Sequence, residues 1–157
     1  MTRKPSIKSE QGQTMVEFAI VAPILLMLIL GIIQLGVLFN NYITLTDAAR
    51  AGARQAAVGR SLPAPESTTI SKTQTSAANL ASQSQANGQT CSNAIPPAAS
   101  AKLCVFVCSE SSGTCTAPSW AQGSDVTVKA TYPYDFSIMG ISFAAGMLSS
   151  QTTERVE

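Results

Sequence analysis

The chain has 157 residues, enough for one modest domain and an added segment. Charged residues make up 12% of it, about half the usual share, and the net charge is +1, so no global field draws it to nucleic acid. It has no histidine, which removes the commonest general base and the commonest metal ligand.

The first twelve residues form a short basic leader with Arg3, Lys4, Lys8 and Glu10, carrying +2, while the remainder carries −1. An apolar run extends from Phe18 to Phe39, 22 residues in which Gln34 is the only strongly polar side chain. As a helix it spans about 33 Å, matching a hydrocarbon core of about 30 Å. It is too long for the apolar region of a cleaved secretory signal, and the nearest small-residue sites, Ala48 to Ala53, lie well past its end. The basic leader places the N-terminus in the cytoplasm and the chain beyond Phe39 outside. Arg50, Arg54 and Arg60 weaken that asymmetry, but they start more than ten residues beyond Phe39.

Helical character continues past Phe39 through an alanine-rich stretch to about Val58, where Gly59 is a stop signal. Half of so long a helix lies outside the membrane, and an alanine-rich helix there needs a partner surface. Pro23 removes one backbone hydrogen bond inside the apolar run and predicts a kink or local melting. Residues 61–90 are rich in Ser, Thr, Gln and Ala. A helix near 67–86 and a solvated linker are both open readings of them.

Four cysteines, Cys91, Cys104, Cys108 and Cys115, lie within twenty-five residues with no Cys-x-x-Cys pair among them. Outside the cytoplasm that pattern reads as two disulfides rather than a metal site. Of three connectivities, Cys91–Cys104 with Cys108–Cys115 is favoured, because the second pair clasps a hairpin across Glu110–Thr114. Lys102 to Cys108 reads as a strand with Cys104, Phe106 and Cys108 on one face. Asp125 to Tyr132 alternates strictly, with Val126, Val128, Ala130 and Tyr132 on the apolar face, and Pro133 ends that strand or marks an edge. Ile138 to Leu148 is apolar, glycine-interrupted and too short to span a membrane, so it reads as a partly buried segment or an amphipathic helix. A last strand covers Ser150 to Val156. Trp120, the one tryptophan, is placed in a loop with a lean to the core.

The expected fold is therefore α+β: a long N-terminal helix, membrane-spanning in its first half, followed by a small disulfide-containing domain with an antiparallel sheet. The chain divides into a cytoplasmic leader at 1–12, the long helix at 13–59 with its span at about 18–39, a polar stretch at 60–100 and a β-rich domain at 101–157. The sheet is expected to bury the alanine face of the outer half-helix.

Glu17, at the start of the span, has two readings. It is solvated at headgroup level, or it acts in assembly. If the chain is cut after Gly12, the new amino terminus is Gln13, four residues from Glu17. In a bundle of such helices one Glu17 then meets a neighbour's ammonium. Two unit charges about 4 Å apart attract by about 4 kcal/mol at an effective dielectric of 20. Desolvation offsets part of this, so the pair acts mainly against wrong axial registers.

Gly12 followed by Gln13-Thr14-Met15-Val16-Glu17-Phe18 resembles the signal of type IV pilins and pseudopilins, in which a prepilin peptidase cuts after the glycine. More specifically, Gly12 to Arg60 resembles the TadE-like family of tight-adherence (Flp) pilus pseudopilins. The shared stretches are 12–19, Pro23 among leucines, Gly31-Ile-Ile-Gln-Leu-Gly36, and Ala48-Ala-Arg-Ala-Gly-Ala-Arg54, with a fainter likeness at Thr153–Glu157. The resemblance implies Gly12 before the cut, Gln13 as the mature N-terminus, Glu17 as the assembly residue, and Phe18 where related members often carry an aromatic. It also implies prepilin peptidase, other pilins and pseudopilins, an inner-membrane assembly platform and the lipid bilayer as partners. The major pilins of such systems are much shorter, which marks this chain as a minor pilin of the cytoplasmic membrane or the assembled fibre. The residues themselves show no nucleophile with a base, no metal set and no phosphate loop, so neither an enzyme nor a cofactor is expected. The rival reading is a permanently tethered envelope binding protein that never polymerises. A third, an exported protein released near Ala53, is disfavoured by the long apolar run.

Overall fold

The computed structural model describes residues 8–80, 103–111, 114–138 and 140–157. Helix α1 covers Lys8–Ala57, 50 residues or about 75 Å, and runs unbroken through Pro23. A 3₁₀ turn at Gly59–Ser61 leads to helix α2, Pro65–Ser76. Proline opens α2, where its missing N–H is no loss, and Glu66 stands in its first turn, where negative charge suits the helix dipole. Within the polar stretch, α2 ends well before the anticipated residue 86. Residues 81–86, and with them the rest of that reading, lie outside the described residues.

The described residues form four strands: β1 (Cys104–Ser111), β2 (Thr114–Thr116), β3 (Asp125–Ile138) and β4 (Ile141–Arg155). They form one antiparallel sheet in the order β2-β1-β3-β4. Two expectations are corrected. β3 does not end at Pro133 but continues to Ile138, with Pro133 paired opposite Met147. Among the described residues β1 pairs with β3 from Thr127 to Thr131, so Pro133 lies past that ladder, where its missing N–H breaks no bond to β1, and its side chain is buried. The segment Ile138–Leu148 is not an amphipathic helix. It is the end of β3, a tight turn and the first half of β4. Gly140 has φ +83, a conformation that glycine adopts without strain, and so the turn closes. Gly146 leaves room for Tyr134, whose ring would lie 2.9 Å from a Cβ placed there.

The core lies between the alanine face of α1 and one face of the sheet. Leu45, Ala48, Ala49, Ala53 and Ala56 of α1 meet Val105 and Val107 of β1, Val126, Val128 and Ala130 of β3, and Ile70 of α2, with Trp120, Tyr132 and Leu148 partly buried at the margin. The opposite face of β1 holds Cys104, Phe106 and Cys108. Cys108 and Cys115 form a disulfide, Cα–Cα 5.4 Å, across the β1–β2 hairpin. Cys104 is also disulfide-bonded. Cys91, and hence the favoured Cys91–Cys104 pairing, lies outside the described residues.

β3 runs antiparallel to α1. Val128 lies beside Gly52 and Ile138 beside Gly31. Ten residues of strand cover about 33 Å and twenty-one of helix about 32 Å, so the two advance in step. Beyond β4, Val156 is buried, and the Glu157 N–H donates to the Ala57 carbonyl at 3.0 Å, satisfying one of the free acceptors at the end of α1.

α2 approaches α1 tightly at Gly52. A Cβ there would lie 2.0 Å from Thr73 Oγ1 and 3.2 Å from both Thr73 Cβ and Val128 Cγ1. Thr73 cannot rotate away freely, because its hydroxyl donates to the Thr69 carbonyl at 2.8 Å. Gly52→Val should therefore destabilise the domain by about 1–3 kcal/mol, the usual cost of overpacking, although valine is the better helix former. Chemical unfolding of the full chain in detergent checks this; unchanged stability would mean that the two helices do not pack so closely.

Candidate functional site

The two halves of α1 have different surroundings. From Gly12 to Ile29 nearly every side chain is exposed, including Met15 at 77% and Phe18 at 72%. The helix is long and apolar enough to cross a membrane, and its most apolar window is wholly unburied. Partial cover starts at Leu30, Gly31, Gln34 and Leu38, the stripe under the β3–β4 hairpin, and full burial starts at Leu45. An uncovered leucine-rich half-helix is not a stable surface in water; it needs lipid or other helices around it.

At the open end stand the residues singled out by the sequence. Among the described residues Gly12 has no neighbour within 4 Å of where a Cβ would be, other than its own helix. Gln13 Nε2 donates to Glu17 Oε1 at 3.3 Å, one turn along the helix. Glu17 and Phe18 are exposed, as is Pro23. The structure thus brings Gln13 and Glu17 together. It sets Phe18 and Pro23 on the same bare half-helix, and it places Cys104, Cys108 and Cys115 far away, since Gly52, beside Val128 of the sheet that carries them, is about 50 Å along α1 from Glu17.

Gln34, at the junction of the two halves, gains its role only in the folded chain. This polar interruption of the apolar run reaches the hairpin. Its Oε1 accepts the Ser137 N–H at 3.1 Å, and its Nε2 donates to the Ser137 carbonyl. Ser137 sits at a register shift in the β3–β4 ladder: Phe136 pairs with Ala144 and Ser137 with Ser142, leaving Phe143 as the extra residue of a bulge. A lone amide in an apolar segment is the signal that the sequence offers. Its partner, more than a hundred residues away, is not readable there.

No catalytic arrangement emerges among the described residues. They hold no group of three or more His, Cys, Asp or Glu able to bind a metal. A cleft of about 470 Å³ between α1 and β3 is lined by Gln34, Val37, Asn41, Tyr132 and Asp135 among others. Its one carboxylate, Asp135, is exposed and accepts a hydrogen bond from Ser142. The Asp47–Arg50 contact at 3.8 Å and the Asp125–Arg155 contact at 3.2 Å are exposed ion pairs of small energetic weight.

The family described as TadE-like protein matches residues 12–54. The match begins at Gly12, covers the bare half-helix and the Gly52 docking point, and stops short of the sheet. No curated protein matches the chain, and no solved structure does.

Replacing Gln34 by leucine removes both bonds to Ser137. Losing a paired amide of this kind costs about 1–2 kcal/mol, so the Ser137 amide should exchange with deuterium about 5- to 30-fold faster, while Val128 in the core is unaffected. Unchanged protection at Ser137 would show that the hairpin does not depend on Gln34.

Proposed function

We propose that this protein is a minor pilin, a pseudopilin of a tight-adherence type IV pilus system, anchored by the bare half of α1 until it is assembled. The observation that carries this reading is the coincidence at one end of the molecule. A glycine with no described neighbour at its Cβ position, a glutamate five residues further on and an unburied apolar helix succeed one another in the segment where the TadE-like match lies.

The mechanism arises from the chemistry of that end. In the bilayer the apolar half of α1 is solvated by lipid. A prepilin peptidase cuts after Gly12, in the first turns of the helix, where glycine costs about 1 kcal/mol relative to alanine and the backbone opens most easily. The cut leaves the anchor intact and creates an ammonium at Gln13. On leaving the bilayer, the same apolar surface packs against equivalent helices of other subunits, drawn out by an inner-membrane platform. Glu17 exchanges its Gln13 amide contact for a neighbour's ammonium. A subunit out of register leaves that carboxylate unpaired among apolar helices, which is costly, so the pair selects one axial offset. The outer domain, with its disulfides, stays folded throughout because its main core is built on the other half of α1, from Leu45 to Ala56.

A permanently tethered binding protein is the rival. It gains nothing from a cut that leaves its anchor whole, and it has no need of an acid at the start of its span.

Gly12→Arg should abolish leader removal, seen as retention of the full-length mass. Glu17→Ala should insert and be processed normally but enter sheared fibres at least several-fold less. Normal processing of the first variant contradicts the signal assignment, and equal incorporation of the second contradicts the register role.

A further inference from the structure

The β3–β4 hairpin reaches further down α1 than a domain held clear of a membrane would. Taking Phe18 as the first residue within the hydrocarbon, Gln34 lies about 24 Å along the helix and Gly31 about 20 Å, inside a core of about 30 Å. Ile138 packs at Gly31, and Ser137 is bound to Gln34. The hairpin tip is thus about 6–10 Å below the outer boundary of the apolar layer. We infer that it is a second membrane-contacting element: Ile141 and Phe143 enter the outer leaflet beside α1 and seat the domain on the lipid. This inference rests on the reading of α1 as a membrane anchor.

Three observations favour lipid as the occupant of this surface. Ile141 and Phe143 are 64% and 57% exposed, and they continue the bare apolar surface of α1 at the same level. The bulge that makes Phe143 an extra residue turns this part of β4 away from a regular ladder. Charge is also segregated along the hairpin. From Phe136 to Thr153 the sequence has no charged residue; Asp125, Lys129, Glu154 and Arg155 lie toward the far end, and Asp135, whose carboxylate accepts a hydrogen bond from Ser142, stands at the base of this uncharged tip.

Polar groups set the depth. β4 is an edge strand, and among the described residues no strand pairs with its outer side. Unpaired backbone groups are not tolerated deep in hydrocarbon, but they are hydrated at the headgroup and acyl boundary, where amphipathic elements insert by about 5–10 Å. The tip enters that layer and no further. Gln34 solves the matching problem on the helix, because its amide is paired with the Ser137 backbone instead of being left open to lipid.

The test uses tryptophan fluorescence of the full chain in phosphatidylcholine vesicles whose acyl chains are brominated near the headgroup end, since bromine quenches tryptophan on contact. Native Trp120 packs by Gly59, roughly 35 Å along the helix axis from Gln34, and serves as the distant reference. The reporters are Phe143→Trp and Ile24→Trp, each combined with Trp120→Phe. If Trp120→Phe misfolds by circular dichroism, the reporters are made with Trp120 kept and the extra quenching is read as the difference from wild type. The inference expects the Phe143→Trp reporter to be blue-shifted and to lose most of its emission, as the Ile24→Trp reporter does, while wild type is unaffected. Loss at Ile24→Trp with none at Phe143→Trp overturns the hairpin contact and leaves the anchor standing. No loss at either position defeats the anchor reading and this inference with it. A Phe143→Trp reporter that is unquenched yet blue-shifted only at high protein-to-lipid ratio overturns the inference in favour of a second copy covering the tip.

Discussion

One helix must satisfy two solvents. α1 is continuous over 50 residues, but the surfaces of its halves are incompatible with a single environment. The outer half is alanine-rich and buries little area by itself, so it is stable only where another element packs closely. The inner half is rich in leucine, isoleucine and valine, and the rest of the described structure leaves it bare up to Ile29 and only partly covered from Leu30 to Leu38. The remainder of the fold keeps these halves apart. The sheet and α2 close on the first, with Gly52 allowing contact at backbone distance, and among the described residues nothing of the domain meets Gly12 in the first turns of the second.

The junction between the halves is polar. Gln34 in an apolar helix is expensive unless both ends of its amide are bonded, and Ser137 supplies a donor and an acceptor because the ladder shifts there. Each defect repairs the other. The pairing also fixes how far down the helix the hairpin extends, and hence where the domain stands relative to any apolar layer around the lower half. It therefore links the domain's packing to the position of the whole molecule in its surroundings.

Much of this is legible in the residues. The long helix is readable from an uncharged apolar run joined to an alanine-rich one, and the core face of β3 from strict alternation at Val126, Val128 and Ala130. The Cys108–Cys115 clasp is readable from a short spacing around turn residues. The illegible parts depend on tertiary context. Pro133 signals a strand end only if both sides of the strand are paired, and among the described residues the β1–β3 ladder covers Thr127 to Thr131 while β4 still pairs at Pro133. Ile138 to Leu148 lacks alternation because β4 is an exposed edge strand without a fully buried face, and its turn carries a glycine without the usual asparagine or aspartate before it. Such a run cannot be told from a helix by periodicity. At the open end, Gly12, Gln13 and Glu17 are singled out through the family resemblance, and the structure shows Glu17 exposed and within hydrogen-bond reach of Gln13. The Gln34 clasp cannot be picked out in advance, because half of it is backbone.

The central claim is that the bare half-helix is made with a leader and trimmed without being removed. The most direct measurement is the N-terminus of the protein extracted from membranes, read by peptide mass spectrometry in cells with and without prepilin peptidase. A start at Gln13 that requires the peptidase is the predicted result. A start at Met1 or Thr2 in both would contradict it and leave a permanent tether.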